Sequence, residues 1–514
     1  MKNLKYIVGL SVVLAGLIIL VACEERLDKD PLGDTEVVFF TTQDAFDRGV
    51  QGIYAKLTDW YWFNANNPIH ECWLLPGDDL TSRGDYPHET FAALSPAHGR
   101  QSTFYQVSYH LINRANVMLQ KIAEEDGVYL DVGMKDIHKG EALFLRALAF
   151  YRLWSFFGTS PVVTERIMGL GEETKQPGSS GTEMLDQAIA DLTEAAELLP
   201  AKGTWEDKFI GRATKDAANG LLGKCLVTRA CYGGGNADYG AAITAFNKIS
   251  SNTALAPHFL DNFDALNENN VESLFEFQAS NAPNFENIWL GNDFNQQIGA
   301  MGAYWGFFYD SWTWWTHTPF VPTQKLMDAF EAGDPRAGHT FRSNGGDNFN
   351  GWEFAKYTWR NLEGDVSSSL NNPRILRYAD VMLLQAEAEL WAGSAANALD
   401  LVNQVRKRAR ESVPDTIPVS AFPADLASVT MEDIMHERFV ELAGEEGQRF
   451  LDLKRWHNAG YINLGNWTKE DWGPSLREDF TFSKWFSDTE GKMLYPIPLA
   501  EIDLNPNVSQ NKGY

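Results

Sequence analysis

The chain has 514 residues, with 69 acidic and 43 basic side chains and a formal net charge of -26. This balance disfavours nucleic acid as a partner, because a polyanion requires clusters of Lys and Arg and the sequence contains none. Tryptophan is the compositional outlier: 17 residues are roughly two to three times the ordinary usage, and such a count needs a reason.

The amino terminus has the composition of an export signal. Lys2 and Lys5 precede an apolar run over residues 7–22, which at about 16 residues is shorter than the roughly 20 that a membrane-spanning helix needs. Residues 20–23 (LVAC) resemble the bacterial lipobox, which implies cleavage before Cys23, acylation of that cysteine and a lipid anchor in the membrane. Cleavage removes both lysines and changes the net charge from -26 to -28. An uncleaved single-span anchor is the alternative.

Helical periodicity dominates the mature chain. Apolar residues at helical spacing predict three helix pairs, which are 105–125 with 137–157, 185–199 with 213–231, and 377–392 with 396–410. Small residues at the close contacts are typical of tetratricopeptide-like repeats, although the pairs are spaced too irregularly for the period of roughly 34 residues. We therefore predict a mostly α protein with a helical-repeat scaffold.

Long stretches without periodicity separate the helix pairs. They are rich in Gly, Asn, Pro and aromatic residues, and they cover 60–100, 255–321 and 337–375. Loops this long are usually functional or disordered, and disordered chains are poor in tryptophan. Since no linker is evident, we predict a signal peptide at 1–22 and one domain at 23–514, with ordered ligand-binding insertions near 60–100 and 255–375.

Short motifs occur in a particular order along the mature chain. They are 27–31 (LDKDP), 39–45 (FFTTQDA), 140–147 (GEALFLRA), 377–388 (RYADVMLLQAEA), 437–438 (ER) with 441–442 (EL), 448–456 (QRFLDLKRW) and 495–498 (YPIP). Together they resemble the SusD/RagB family of outer-membrane nutrient-binding lipoproteins, along nearly the whole mature chain. The strongest stretch of this resemblance is the carboxyl-terminal one.

The resemblance implies both an architecture and a partner. It implies about four tetratricopeptide-like helix pairs and a lipid-anchored position at the cell surface. The implied partner is a SusC-like TonB-dependent outer-membrane barrel, over which the lipoprotein sits as a lid that traps oligosaccharide for uptake. The resemblance implies no catalysis. Peptide is the alternative ligand, as in the RagB-like branch of the family.

Two aromatic clusters are candidates for the glycan site, because sugar rings stack on flat aromatic faces while polar side chains bind their hydroxyls. The resemblance implies that loops of both regions form the site. The candidates are Trp60, Trp62, Trp73, Arg83 and Tyr86 in the first cluster and Tyr304, Trp305, Trp312, Trp314 and Trp315 in the second. Core packing is the alternative for any single tryptophan. The last three cannot all point the same way in a helix or a strand, so at least one is expected to face outward.

Several charged residues in the family motifs are better explained as structural ion pairs than as catalytic groups. They are Arg377, Glu387, Arg438, Glu441, Arg449, Asp452 and Arg455. Enzyme motifs are absent or broken: His436 lacks the second histidine of a zinc protease, since position 440 is Val, and no nucleophile elbow occurs. A glycosidase carboxylate pair is defined only in space, so a glycoside hydrolase and a pure docking scaffold are the alternatives from other classes.

Metal sites have little support in the sequence, and we expect no cofactor. Besides Cys23, the three cysteines Cys72, Cys225 and Cys231 permit one disulfide and contain no C-x-x-C spacing. Asp347, Asn348 and Asn350 stand in a glycine-flanked loop, where a structural calcium ion is one interpretation and a plain turn is the better one.

Overall fold

The protein is described from a computed structural model that covers residues 39–61, 69–82, 86–91, 94–169, 171–279, 305, 308, 320–343, 352–358, 369–414, 418–472 and 493–514. This part of the chain is mostly helical. Its longer helices are α1 (Gln43–Tyr54), α2 (Gly99–Glu124), α3 (Val132–Phe157), α4 (Glu183–Leu198), α5 (Lys215–Arg229), α6 (Gly235–Phe246), α7 (Tyr378–Ala392), α8 (Ala395–Glu411), α9 (Met431–Glu441) and α10 (Gln448–Asn458).

Shorter elements lie between these helices. The short α-helices are Thr58–Tyr61, Pro87–Thr90, Gln324–Ala329, Pro335–Thr340, Lys469–Trp472 and Leu499–Leu504, and Ile69–Leu74 forms a π-helical turn. The strands are β1 (Leu80–Thr81), β2 (Ser273–Phe275), β3 (Val321–Pro322), β4 (Phe341–Ser343), β5 (Trp352–Phe354) and β6 (Leu376–Arg377). They form three antiparallel pairs, β1 with β3, β2 with β6 and β4 with β5, and the first two pairs join segments that are far apart in the sequence.

Side-chain caps start several of the helices. Thr42 Oγ1 accepts a hydrogen bond from the amide of Ala45 at the start of α1, and Thr430 forms a capping box with Asp433 at the start of α9. These caps satisfy amide groups that have no partner inside a helix. Gly158 ends α3 with a positive φ of 63°, a backbone conformation that favours glycine.

The helices from α2 to α8 form a repeat-like stack in which each helix packs on the next one along the chain. The three predicted helix pairs are confirmed. Helix α6 was not predicted, because the glycines at 233–235 indicate a turn; they form the kink between α5 and α6. The mostly α fold class is likewise confirmed.

Gly223 of α5 shows how closely these helices approach. A Cβ atom at this position would lie 2.1 Å from Cε1 of Phe246 in α6. Because the aromatic ring occupies the place of a side chain, glycine is required for the two helices to pack at this distance.

Buried apolar side chains form one large cluster that extends from α1 to the carboxyl-terminal segment. A smaller second cluster lies between α7, α8 and α9 and includes Leu383, Val405 and Ile434. The three cysteines of the described chain are buried and free, so the one disulfide that the sequence permits is not formed. No helix in the described ranges is both long and apolar enough to cross a membrane.

The seven charged residues of the family motifs all form ion pairs, and all of them except Arg449 are buried, which confirms the structural interpretation. Their partners differ from the helical neighbours that spacing suggests. Arg455 and Asp452 are three residues apart on one helix, whereas Arg438 of α9 pairs with Asp380 of α7 at 2.8 Å. Most of these pairs therefore connect different elements.

Candidate functional site

Residues that border the predicted ligand loops contact one another in the tertiary structure. The ring of Tyr61, at the end of a short helix, stacks on Phe277 with the ring centroids 5.1 Å apart. Two residues further on, the amide of Ala279 donates a hydrogen bond of 2.7 Å to Oδ1 of Asn372. Segments near 61, 279 and 372 therefore meet.

Trp305 extends this contact region. Its Nε1 donates a hydrogen bond of 2.9 Å to the carbonyl of Asn371, and its ring stacks on Tyr357 with a centroid distance of 3.9 Å. Phe308 lies beside Trp305 and packs on Phe354 at 4.6 Å. The residues around 305 and 357 thus contact the segment near 371.

Another group of aromatic rings surrounds Phe320. His70 stacks on Phe320 at 4.6 Å, and Tyr86 meets Phe320 edge-on at 5.5 Å. Strand β3, which follows Phe320, pairs with β1 and lies beside β5. We define the loop-base cluster as two aromatic groups, one of His70, Tyr86 and Phe320 and the other of Trp305, Phe308 and Tyr357. Its members come from both regions that the sequence nominates for ligand binding.

Four predicted ligand residues are buried, and the ligand-binding role assigned to them needs correction. The exposed fractions of Trp60 and Trp73 are 0% and that of Trp305 is 1%. Trp60 packs edge-on against Trp73 at 5.5 Å, and the Arg152 guanidinium covers Trp73 at 4.3 Å. Tyr86 is also buried. Because protein atoms surround these rings, they belong to the core and do not offer a face to a sugar.

The other predicted ligand residues lie outside the described residues. They are Trp62, Arg83, Tyr304, Trp312, Trp314 and Trp315. The signal peptide, Cys23 and the calcium candidates Asp347, Asn348 and Asn350 also lie outside them. The expectations for all of these residues stay predictions.

Two tryptophans that were not predicted as ligand residues, Trp467 and Trp352, lie near the ends of other described ranges. Trp467 is half-buried and packs edge-on at 4.9 Å against Trp472, the last residue of the described range 418–472. The ammonium group of Lys325 lies 4.1 Å from the Trp467 ring centroid. Trp352, in β5, is half-buried against Phe341. Their sequence signal was a tryptophan beside Asn and Gly residues, without a second aromatic next to it.

Asp78 and Asp79 are adjacent carboxyl groups with opposite electrostatic surroundings. Burial opposes the charge of Asp78, but ion pairs with Arg449 and with Lys325 at 2.7 Å lower its pKa to about 2. Burial raises the pKa of Asp79 to about 6, although the amide of Gly444 donates a hydrogen bond of 2.8 Å to it. Both groups are buried and bonded to protein partners, so this pair does not present a general acid and a nucleophile to a ligand.

A cavity of about 310 Å³ lies elsewhere, beside the start of α5, and includes Lys202, Trp205 and Arg212 in its lining. Lys202 Nζ donates hydrogen bonds to backbone carbonyls, among them that of Val271 at 2.8 Å. The Arg212 guanidinium is held by Glu141 and by Asp47 at 2.6 Å. Since its cationic groups are already engaged by protein partners, this cavity is a weak candidate for ligand binding.

Comparison with known proteins agrees with this architecture. A family model described as "SusD family" matches residues 233–514, and a model described as "Starch-binding associating with outer membrane" matches residues 80–226. The chain belongs to the SusD family.

Relatives match this family member over nearly its whole length. A SusD-like protein of Formosa agariphila is 27% identical, over 97% of this chain and 98% of its own. The starch-binding protein SusD of Bacteroides thetaiotaomicron is 24% identical, over 92% of this chain and 87% of its own.

Solved structures share the fold. Surface glycan-binding protein A from Bacteroides fluxus superposes with a TM-score of 0.71 at 24% identity, covering 92% of this chain and 100% of that one. A laminarin-binding SusD-like protein superposes with a TM-score of 0.68 at 21% identity, also covering 92% and 100%. At this level of identity, the likeness defines the architecture of the chain.

Proposed function

We propose that this protein is a surface glycan-binding lipoprotein that captures oligo- or polysaccharide and delivers it to a SusC-like TonB-dependent outer-membrane transporter without chemical change. The observation that carries the proposal is the match to SusD-family models across residues 80–514, broken only at 227–232. The names of similar proteins, which mention starch, laminarin and surface glycan, support a carbohydrate ligand.

The geometry of the loop borders supports a site made by several loops. Residues beside the two predicted aromatic regions are packed into the loop-base cluster, where Trp305 stacks on Tyr357 at 3.9 Å and His70 stacks on Phe320 at 4.6 Å. These contacts place the described borders of segments from distant parts of the chain near one another. In the proposal, Trp312, Trp314 and Trp315 supply the stacking faces.

Glycan binding is tested with purified protein against a polysaccharide panel that includes starch and laminarin, by affinity electrophoresis and calorimetry. We expect one polysaccharide to bind and the single Trp→Ala variants at 312, 314 and 315 to include at least one with weakened binding. Loss of a stacked aromatic is expected to cost about 1 to 3 kcal/mol. Failure of every polysaccharide to bind would count against the proposal, and binding with all three variants unchanged would remove these residues from the site.

Trp391 provides a matched control for these substitutions. It lies on α7, is 40% exposed and stacks on Tyr461 at 5.0 Å. Because this surface tryptophan belongs to the repeat scaffold, the proposal expects Trp391→Ala to leave polysaccharide affinity unchanged. An equal loss for Trp391→Ala and the loop variants would indicate nonspecific aromatic adsorption.

The absence of catalysis and the chemical class of the ligand are tested separately. Incubation with the bound polysaccharide should release no reducing ends, and release would support the glycoside hydrolase alternative. Mass spectrometry of material that co-purifies with the protein distinguishes sugar from peptide. Peptide as the sole bound species would favour the RagB-like alternative.

The anchor and the transporter partner are the remaining parts of the proposal. The family description, which mentions association with the outer membrane, supports the location. Cys23→Ser is expected to abolish labelling by an alkyne fatty acid and to release the protein from the membrane fraction. Affinity purification from detergent-solubilised outer membranes should recover a TonB-dependent barrel with the wild-type protein, and its consistent absence would contradict the transporter partnership.

A further inference from the structure

Three metal-ligating side chains meet beside the loop-base cluster. Glu71 lies in the π-helical turn, His88 in the short helix Pro87–Thr90, and His98 directly before α2. Each residue offers one ligand atom, and the three atoms lie within 4.8 Å of one another. We propose that Glu71, His88 and His98 bind a zinc ion, a site that the sequence spacing does not reveal.

The donor set suits zinc, because two imidazoles and one carboxylate are ligands that Zn²⁺ commonly takes. Oε2 of Glu71 and Nδ1 of His88 are 3.1 Å apart, and a tetrahedral zinc ion places its ligand atoms roughly 3.3 to 3.5 Å apart. If the His98 ligand atom lies 4.8 Å from another ligand atom, the largest separation in the group, that distance has to shorten by roughly 1.4 Å for both atoms to bind one zinc ion. The half-buried His98 ring can make this movement by rotation about its side-chain torsions.

A ring nitrogen of His98 without a hydrogen-bond partner also supports a metal ion at this place. Nδ1 of His98 is buried and has no hydrogen-bond partner among the described residues. The His98 ring meets the His88 ring edge-on, with the centroids 4.8 Å apart. A buried ring nitrogen is ordinarily satisfied, and coordination of a metal ion would satisfy this one.

Neighbouring groups orient two of the proposed ligands. The Arg100 guanidinium pairs with Oε1 of Glu71, which leaves Oε2 directed at His88. The second ring nitrogen of His88, Nε2, lies 3.5 Å from Sγ of Cys72. Such outer contacts fix the orientation of metal ligands. The Arg100 side chain is 23% exposed, so solvent screens part of its opposition to a cation.

The proposed ion would tie together three segments of the region around 60–100. Glu71 is 2% exposed and His88 is 0% exposed, so protein atoms surround two of the three proposed ligands, and a water molecule would supply the fourth ligand of a tetrahedral ion. The ion would fasten the turn that contains His70, a member of the loop-base cluster, to the start of α2. This inference does not depend on glycan binding, and its test contains no glycan.

The test uses full-length protein purified in detergent without a polyhistidine tag, stripped with EDTA and then titrated with zinc chloride. We expect one zinc ion per chain by elemental analysis and a zinc-dependent rise in the thermal midpoint. His98→Gln should weaken zinc binding at least tenfold and remove the thermal shift. His110→Gln is the matched control, because His110 is exposed on α2.

Two results would overturn the site: no stoichiometric zinc on the wild-type chain, or the same zinc affinity in His98→Gln as in the wild type. Circular dichroism in EDTA establishes whether the variant folds. If it does not fold, cobalt substitution of the wild-type protein decides. The intense visible absorption of tetrahedral Co²⁺ would support the site, and its absence would overturn it.

Discussion

Arg377 and Glu441 form an ion pair of 2.7 Å in the protein interior although 64 residues separate them in the sequence. Arg336 and Arg408 also pair with Glu441. Burial opposes the charge of Glu441, but the three guanidinium groups hold its pKa well below the ordinary value. This carboxylate therefore links the start of α7, the helix α8 and the short helix Pro335–Thr340 to α9.

Glu441→Gln is expected to lower the free energy of unfolding by about 3 to 5 kcal/mol, because it removes a buried negative charge that three buried guanidinium groups share. Denaturant titration followed by circular dichroism measures the change. Glu197→Gln is the control: Glu197 forms an exposed pair with Lys248 at 3.5 Å, and its loss should cost at most about 1 kcal/mol. Similar costs for the two variants would contradict the role assigned to Glu441.

Gly223→Ala tests the close contact between α5 and α6. The added methyl group would overlap the Phe246 ring, so we expect a loss of about 1 to 3 kcal/mol of stability. Gly240→Ala, on α6, has no atom within 4 Å of its new Cβ and should be neutral or stabilising by up to about 1 kcal/mol. Thermal denaturation of both variants gives the comparison, and a stable Gly223→Ala variant would show that the helices can separate at little cost.

Asp79→Asn tests the pH dependence that the buried carboxyl group introduces. Its pKa is raised to about 6, whereas an aspartate in an unfolded chain has a pKa of about 3.9. Between these values the folded protein retains a proton that the unfolded chain has lost, so this group's contribution to stability falls as pH rises. Because Asn does not ionise, the variant does not lose stability in this way as pH rises.

We therefore expect the stability of Asp79→Asn, relative to the wild type, to be greater at pH 7 than at pH 4 by on the order of 2 kcal/mol. Chemical denaturation of both proteins at the two pH values measures this difference and cancels any constant cost of the substitution. Asp78, whose pKa is about 2, does not titrate in this window. A difference that is independent of pH would contradict the raised pKa of Asp79.

Trp305→Phe separates support of the site from contact with the ligand. The substitution removes the hydrogen bond to the Asn371 carbonyl and leaves a buried acceptor, at a cost of about 1 to 3 kcal/mol in stability. Since Trp305 is buried, the affinity of the folded protein for its polysaccharide should change less than about twofold, or 0.4 kcal/mol. Calorimetry below the unfolding transition measures the affinity, and a large loss would return Trp305 to the binding surface.

The helical scaffold was predictable because its signal is local. Apolar residues three and four positions apart define α2 and α3, and each helix ends within one residue of its predicted end, although α2 begins at Gly99 instead of 105 and α3 at Val132 instead of 137. Helix α6 was missed because its start coincides with glycines, whose local signal is a turn. The ion pairs were foreseen as structural, but their partners were not, because pairs such as Arg438 with Asp380 depend on how α7 and α9 pack.

The aromatic residues show the limit of sequence more clearly. Trp60, Trp73 and Trp305 belong to tryptophan-rich clusters, and composition cannot distinguish a tryptophan in the core from one that faces a ligand. Burial distinguishes the two, and it depends on contacts such as that between Trp305 and Tyr357, which are 52 positions apart.

The sequence by itself determined the mostly helical scaffold and the family motifs, because helical periodicity and short motifs are properties of neighbouring residues. Only the tertiary structure decided which aromatic side chains are core, which charges pair, and that Glu71, His88 and His98 meet. These properties depend on distances between residues that are remote in the chain, and such distances are set when the helices pack.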